Sequence, residues 1–325
     1  MARSSPDTSI RSSSRGNAWR AASALAALAA GLAVFAQGQK DDALRVCADP
    51  SNLPLSNTRG EGYENKIAEQ LARDLGRQIE YTYFPQRMGF VRNTLKKQDP
   101  LTQQFKCDVI IGVPKGYELT ATTRPYMRST YALLYRDRSE FESFETADDL
   151  LKLPQDKLRA LRIGVFAQSP GADWLLRNQL LDRAVFYAAQ SGDPNETPAT
   201  IIERELDAGN IDVAILWGPV AGFLVRNHST RPAWRAVPFK PDKQIKFDYE
   251  MSMGVRFGEK EWKATLDEWI AGHEDNVHEI LSAYRVPLLD ESGNVKVNFR
   301  SSERERDNRV ARRIPPQPGS EGTTP

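Results

Sequence analysis

Histidine and cysteine are scarce in this chain of 325 residues, with three of the first and two of the second. His273 and His278 stand five apart, which does not put two metal ligands on one helix face, and His228 is remote from both. No HExxH, GxSxG or GKS/T string occurs, so zinc hydrolysis, nucleophile-elbow and phosphate-loop chemistry have no support. An excess of one charge is missing too, with 44 Lys and Arg against 43 Asp and Glu. A nucleic-acid binder needs a basic stripe, and none is visible. Beyond the first 36 residues no run is apolar enough to cross a bilayer.

What is present begins with a leader. Arg3, Arg11, Arg15 and Arg20 surround or precede the apolar run AASALAALAAGLAVFA, which is short for a membrane span and ends in small residues. Residues 1–36 read as a secretory signal peptide cleaved after Ala36, the alternative being an uncleaved anchor. The mature protein is then expected in the periplasm, near neutral and off the membrane. At the other end, residues 291–325 carry few apolar side chains and read as a disordered tail.

The stretch LRVCADPSNLPLSNTRGEGYENKIAEQLARDLG, Leu44 to Gly76, says most about architecture. A buried strand runs into a loop of turn formers, then into a helix with Ile67, Leu71, Ala72 and Leu75 on one face. Gly76 is a stop signal. Strand, polar loop and helix in that order place the loop at the carboxyl edge of a parallel sheet, where α/β folds bind ligands. Further strands are predicted at Ile79–Phe84, Cys107–Val113, Arg128–Arg136, Leu161–Phe166, Ile211–Trp217 and Met251–Phe257. Helices are predicted from Phe90, after Ser169-Pro170, over Pro198–Asp207 and over Glu259–Arg285.

The strings CADPSNLPLSNTRGEGYENKIAEQLA, YTYFPQRMGFVRNTL, CDVIIGVPKGYELTATTRPYMRSTYALLYR and ILWGPVAGF resemble the MxaJ/XoxJ-type group of solute-binding-like proteins. The resemblance covers about Leu44 to Leu288. It implies an α/β, two-lobed type II periplasmic binding protein fold, each lobe a mainly parallel sheet flanked by helices. Lobe one is then expected at 43–134 and 245–290, and lobe two at 135–240. It also implies a non-catalytic accessory role, without a cofactor, toward a PQQ-dependent methanol or alcohol dehydrogenase. The other reading is a receptor that hands a small polar solute to an ABC importer. Which dehydrogenase or ligand is involved, whether the cleft closes, and the oligomeric state stay open.

Transporter-type amino-acid binders of this fold hold a carboxylate with an Arg after the third strand, and an ammonium with an Asp after the IDVAIL-like strand. Here those places read Gly116-Tyr117-Glu118-Leu119 and Trp217-Gly218-Pro219, so both handles are missing. The residues expected to line the cleft for a ligand or partner are Asn52, Tyr63, Glu64, Tyr117, Arg124, Tyr126, Ser129, Ser169 and Trp217. Each has a plainer reading: Tyr63, Tyr126 and Trp217 as packing, Glu64 as a first-turn acid of its own helix, Ser169 as an N-cap. Cys47 and Cys107 leave two readings open. An oxidising compartment favours a disulfide, whereas the offset between their strands argues against one.

Overall fold

The computed structural model describes residues 43–297, apart from 191, 192, 194, 231 and 232, together with Phe299. The segment 1–36 expected as a signal peptide and the tail beyond residue 300 lie outside the described residues. Among those described, no helix is long and apolar enough to cross a membrane.

The chain opens with strand β1 (Ala43–Ala48), the short strands β2 (Ser51–Asn52) and β3 (Ser56–Asn57), and helix α1 (Tyr63–Asp74). Strand β4 (Gln78–Tyr83), helix α2 (Phe90–Asn93) and strand β5 (Val109–Pro114) follow. β1 pairs in parallel with both β4 and β5. The α1 stop works as its sequence suggests. Gly76 adopts a φ of +64°, and the Arg77 and Gly76 amides close back on the Ala72 and Arg73 carbonyls at 2.9 and 3.1 Å.

Strand β6 (Ala121–Arg136) is 16 residues long and belongs to both halves of the sheet. Its first half pairs with β11 (Asp248–Val255), which pairs on its other side with β5. Its second half pairs with β9 (Val213–Trp217) and β10 (Trp234–Pro238). Beyond β9 lie the parallel strands β7 (Ile163–Phe166) and β8 (Ala184–Tyr187). Helices α3 (Gln155–Ala160), α4 (Pro170–Arg177), α5 (Pro198–Asp207) and α6 (Gly218–Asn227) belong to this second stretch of chain. α7 (Lys260–Gly272) and α8 (Glu274–Ala283) follow β11 and pack with α1 over the first half, around Ile67, Leu71, Leu266 and Leu281. A second core holds Leu133, Tyr135, Phe141, Trp174 and Phe239.

Three features go beyond the sequence reading. The tail begins later than residue 291, because β13 (Val295–Val297) pairs with β12 (Leu288–Leu289) and Phe299 is buried. Helix α6 starts in the glycine- and proline-rich string after β9, where no helix is predicted. Its glycines serve packing instead. A Cβ on Gly222 would sit 2.0 Å from the Arg285 carbonyl oxygen, and one on Gly218 would sit 2.2 Å from that of Thr130. Lastly, Cys47 and Cys107 form a disulfide. In register Cys47 faces Ile110, and three residues of straight strand would separate the cysteines by about 10 Å. But β5 begins only at Val109. The chain turns before it and brings the two Cα atoms to 5.4 Å, inside the apolar cluster of Phe90, Val91 and Leu95.

Candidate functional site

The carboxyl ends of β1, β4 and β5 open onto a cleft with two compartments. The larger, about 650 Å³, takes Arg87, Met88, Arg92, Gly112, Tyr117 and Leu119 from the first half of the sheet and Gln190 from the loop after β8. The smaller, about 60 Å³, lies between Asp49, Asn52 and Gln86 on one side and Gln190, Glu196 and Thr197 on the other. Gln86, Arg87 and Gln190 border both.

Local structure explains the first wall. Asp49 ends β1, and its carboxylate accepts the backbone amides of Ser51 and Gln86. That fixes the β2 turn and the loop after β4 to one residue. Gln86 Nε2 reaches the Gly112 carbonyl at 3.4 Å, and the Met88 amide meets Gln190 Oε1 at 3.5 Å across the cleft. The segment from Pro85 to Gly89 is therefore held at both ends.

Behind Gly112 lies an unusual pair. Glu64, in the first turn of α1, is only 5 % exposed, and its Oε1 has no hydrogen-bond partner. The Tyr126 hydroxyl is also buried without one. Gly112 makes room for the carboxylate, since a Cβ there would fall 2.1 Å from Glu64 Oε1 and 3.5 Å from Tyr126 Oη. Burial, and secondarily the charge of Asp49, push the Glu64 carboxyl up to about 8. Burial also drives the Tyr126 and Tyr63 phenols well above their usual value. Glu64 does not cap its helix. Asn65 does that, accepting the Gly62 and Asn57 amides at 3.1 Å each.

The nine residues singled out in the sequence fall into separate places. Asn52 lines the smaller compartment and Tyr117 the larger. Glu64 and Tyr126 meet behind Gly112. Tyr63 is packed in the core, edge-on to Tyr284. Arg124 is exposed and lines a different groove, of about 480 Å³, with Glu274, His278 and Lys296. The Ser129 hydroxyl is fully buried and donates to the Pro287 carbonyl at 2.6 Å. Ser169 is the N-cap of α4, with its hydroxyl donating to the Phe166 carbonyl at 2.7 Å and accepting the Ala172 amide. Trp217 is half-buried at the end of β9, edge-on to Tyr131 and Tyr249 at ring separations of 5.6 and 5.8 Å.

Gln86, Arg87, Met88 and Gln190 are cleft residues that the sequence did not single out. A signal for the first three existed. Pro85 and Gly89 bracket a turn after a strand that lies parallel to β1, which is the same carboxyl edge. Gln190 follows β8 in a similar way.

Strand order, long shared strand and cleft at the carboxyl edges define the two-lobed α/β fold of type II periplasmic binding proteins. No protein-family model matches the chain. The periplasmic binding protein XoxJ of Methylobacterium extorquens AM1 is 33 % identical, with a TM-score of 0.59 over 76 % of this chain and all of that one. The chain belongs to the family of this protein. MoxJ of Paracoccus denitrificans is 26 % identical over 261 residues, 77 % of this chain and 90 % of that protein. MxaJ of Methlophaga aminisulfidivorans MPT, at 24 % identity and a TM-score of 0.59 over 76 % of this chain and all of that one, shares the fold.

Proposed function

We propose that this protein is a periplasmic, non-catalytic accessory protein that binds a PQQ-dependent methanol or alcohol dehydrogenase and helps to mature or activate it. The sequence resemblance supplies the partner. The observation that carries the reading is the aromatic cluster of Trp217, Tyr131 and Tyr249. It occupies the place after the IDVAIL strand where amino-acid receptors of this fold keep an acid for the ligand ammonium. Aromatic side chains without that acid suit a protein surface better than a zwitterion. The test is titration of the mature protein with the purified dehydrogenase, by calorimetry and by dye-linked activity. Saturable binding is expected, and Trp217→Ala should weaken it about thirtyfold, as loss of a contact worth about 2 kcal/mol does. Absence of binding by the parent protein would remove the reading.

One observation favours the second reading, a receptor delivering a small polar solute to an importer. Glu64 and Tyr126 offer unpartnered polar atoms behind the cleft wall. A small solute would be the natural partner for such groups. Free amino acids should still bind weakly or not at all, because the paired Arg and Asp handles are missing. A micromolar dissociation constant for any standard amino acid in calorimetry would favour the receptor over the accessory protein.

A further inference from the structure

Most exposed apolar side chains on a protein are scattered and need no explanation. Met88 and Leu119 are different. Met88 is 90 % exposed and Leu119 47 %, and both border the larger compartment. Behind them the same compartment is lined by Phe90, Val113 and Tyr117. The lining includes two guanidinium groups, Arg87 and Arg92, and no carboxylate. Among the described residues Arg92 makes no ion pair, and its side chain is exposed.

The exposed methionine is also held in place. Its loop is tied to Asp49 through the Gln86 amide, and to the second half of the sheet through Gln190. Gly89 follows with a φ of +87° and opens α2. The backbone that presents this side chain is already fixed, so covering Met88 orders the side chain and not the loop. Methionine adapts its shape to irregular apolar partners, and arginine is enriched at protein interfaces.

We propose that the larger compartment is the seat for a short apolar segment of the partner protein that carries a carboxylate next to its apolar side chain. The proposal rests on the accessory-protein reading and adds the chemistry that the partner must present. The apolar side chain would cover Met88 and Leu119 and enter toward Phe90 and Val113. The carboxylate would face Arg92. A basic segment would place like charges together and is disfavoured. A free solute small enough to sit inside the compartment would leave Met88 in water.

Two measurements test this. The first needs no dehydrogenase. The mature protein is labelled with 13C at the methionine methyls, and the Met88 signal is assigned from Met88→Leu. It is then titrated with a blocked peptide of leucine, phenylalanine and aspartate, and with the same peptide carrying lysine for aspartate. The Met88 methyl should shift with the aspartate peptide. Arg92→Glu should abolish the preference over the lysine peptide. An unmoved Met88 signal, or equal response to both peptides, overturns the proposal.

The second measurement uses the dehydrogenase. Met88→Asp combined with Leu119→Asp should weaken its binding at least thirtyfold. Leu101→Asp, at an exposed leucine outside the cleft lining, should leave it unchanged. Unchanged binding by the double variant, beside a parent that binds, overturns the seat and keeps the accessory role. A parent that takes the aspartate peptide but ignores the dehydrogenase keeps the seat and removes the accessory role.

Discussion

The two ends of β1, β5 and β11 belong to the same strands and are built on opposite rules. At the amino end of β5 the charged groups are gathered into one network. Asp108 accepts Arg45 at 2.9 Å and Arg256 at 2.8 Å. Arg256 also pairs with Glu259 at 2.6 Å, reaches the Leu95 and Cys107 carbonyls, and lies 4.0 Å over the Phe105 ring. The disulfide and its apolar cluster lie alongside. At the carboxyl end Glu64 and Tyr126 have unpartnered oxygens, and Met88 stands in water. Charges are densely paired at the amino end, although Glu259 Oε2 stays unpartnered and a groove of about 570 Å³ opens beside it. At the carboxyl end the unpartnered oxygens lie behind the cleft, where this class of fold places its ligands.

The largest effect should come from the paired end. The disulfide joins positions 60 residues apart, and closing such a loop removes about 4 kcal/mol of unfolded-state entropy. The variant with Cys47→Ser and Cys107→Ser should lose stability of that order in urea unfolding. A loss below about 1 kcal/mol would mean that the apolar cluster alone holds this end.

Next comes Arg256→Ala. Its side chain is 11 % exposed, and its removal leaves Asp108 with Arg45 alone and takes the donor from Glu259 and from the Leu95 and Cys107 carbonyls. Breaking a buried pair costs about 3 kcal/mol. Urea unfolding checks it, and a change within about 0.5 kcal/mol would class this network with ordinary surface pairs.

The smallest effect, counted per pH unit, is a slope, and it reports on the other end. Burial raises the Glu64 carboxyl from 4.5 to about 8. Between those values the native protein holds a proton that the unfolded chain has already released. Stability from this group therefore falls as pH rises through that window, by about 1.4 kcal/mol per unit. Glu64→Gln keeps the shape and removes the titration, so its stability should depend less on pH from 5 to 8 and exceed the parent's at pH 8. Parallel profiles for the two proteins would mean that Glu64 is solvated or paired in solution.

Parts of this contrast were legible in the sequence. The turn-rich loop after β1, the Gly76 stop, the Ser169 cap and the limits of α5 are set by a few neighbouring residues, and local rules describe them. Helix α6 was not legible, because Gly218 and Gly222 answer to β6 and to the Arg285 carbonyl, far away in sequence. The disulfide was left open because the offset argument treated Cys107 as part of its strand, whereas the chain turns two residues before β5. For Glu64 the local rule is insufficient. A first-turn acid normally points to water, and only the missing Cβ of Gly112 lets this one turn inward. Arg124 and Ser129 illustrate direction along one strand. Both lie on β6, yet one faces a separate groove and the other a buried carbonyl.

The most direct test sets the two ends against each other in one binding experiment. The mature parent, Trp217→Ala and Arg256→Ala are titrated with the quinoprotein dehydrogenase under the same conditions, well below the unfolding midpoint of each. The account predicts that Arg256→Ala binds as the parent does despite its lower stability, while Trp217→Ala, still folded, binds about thirtyfold more weakly. Parental binding by Trp217→Ala, or weakened binding by Arg256→Ala alone, would contradict it.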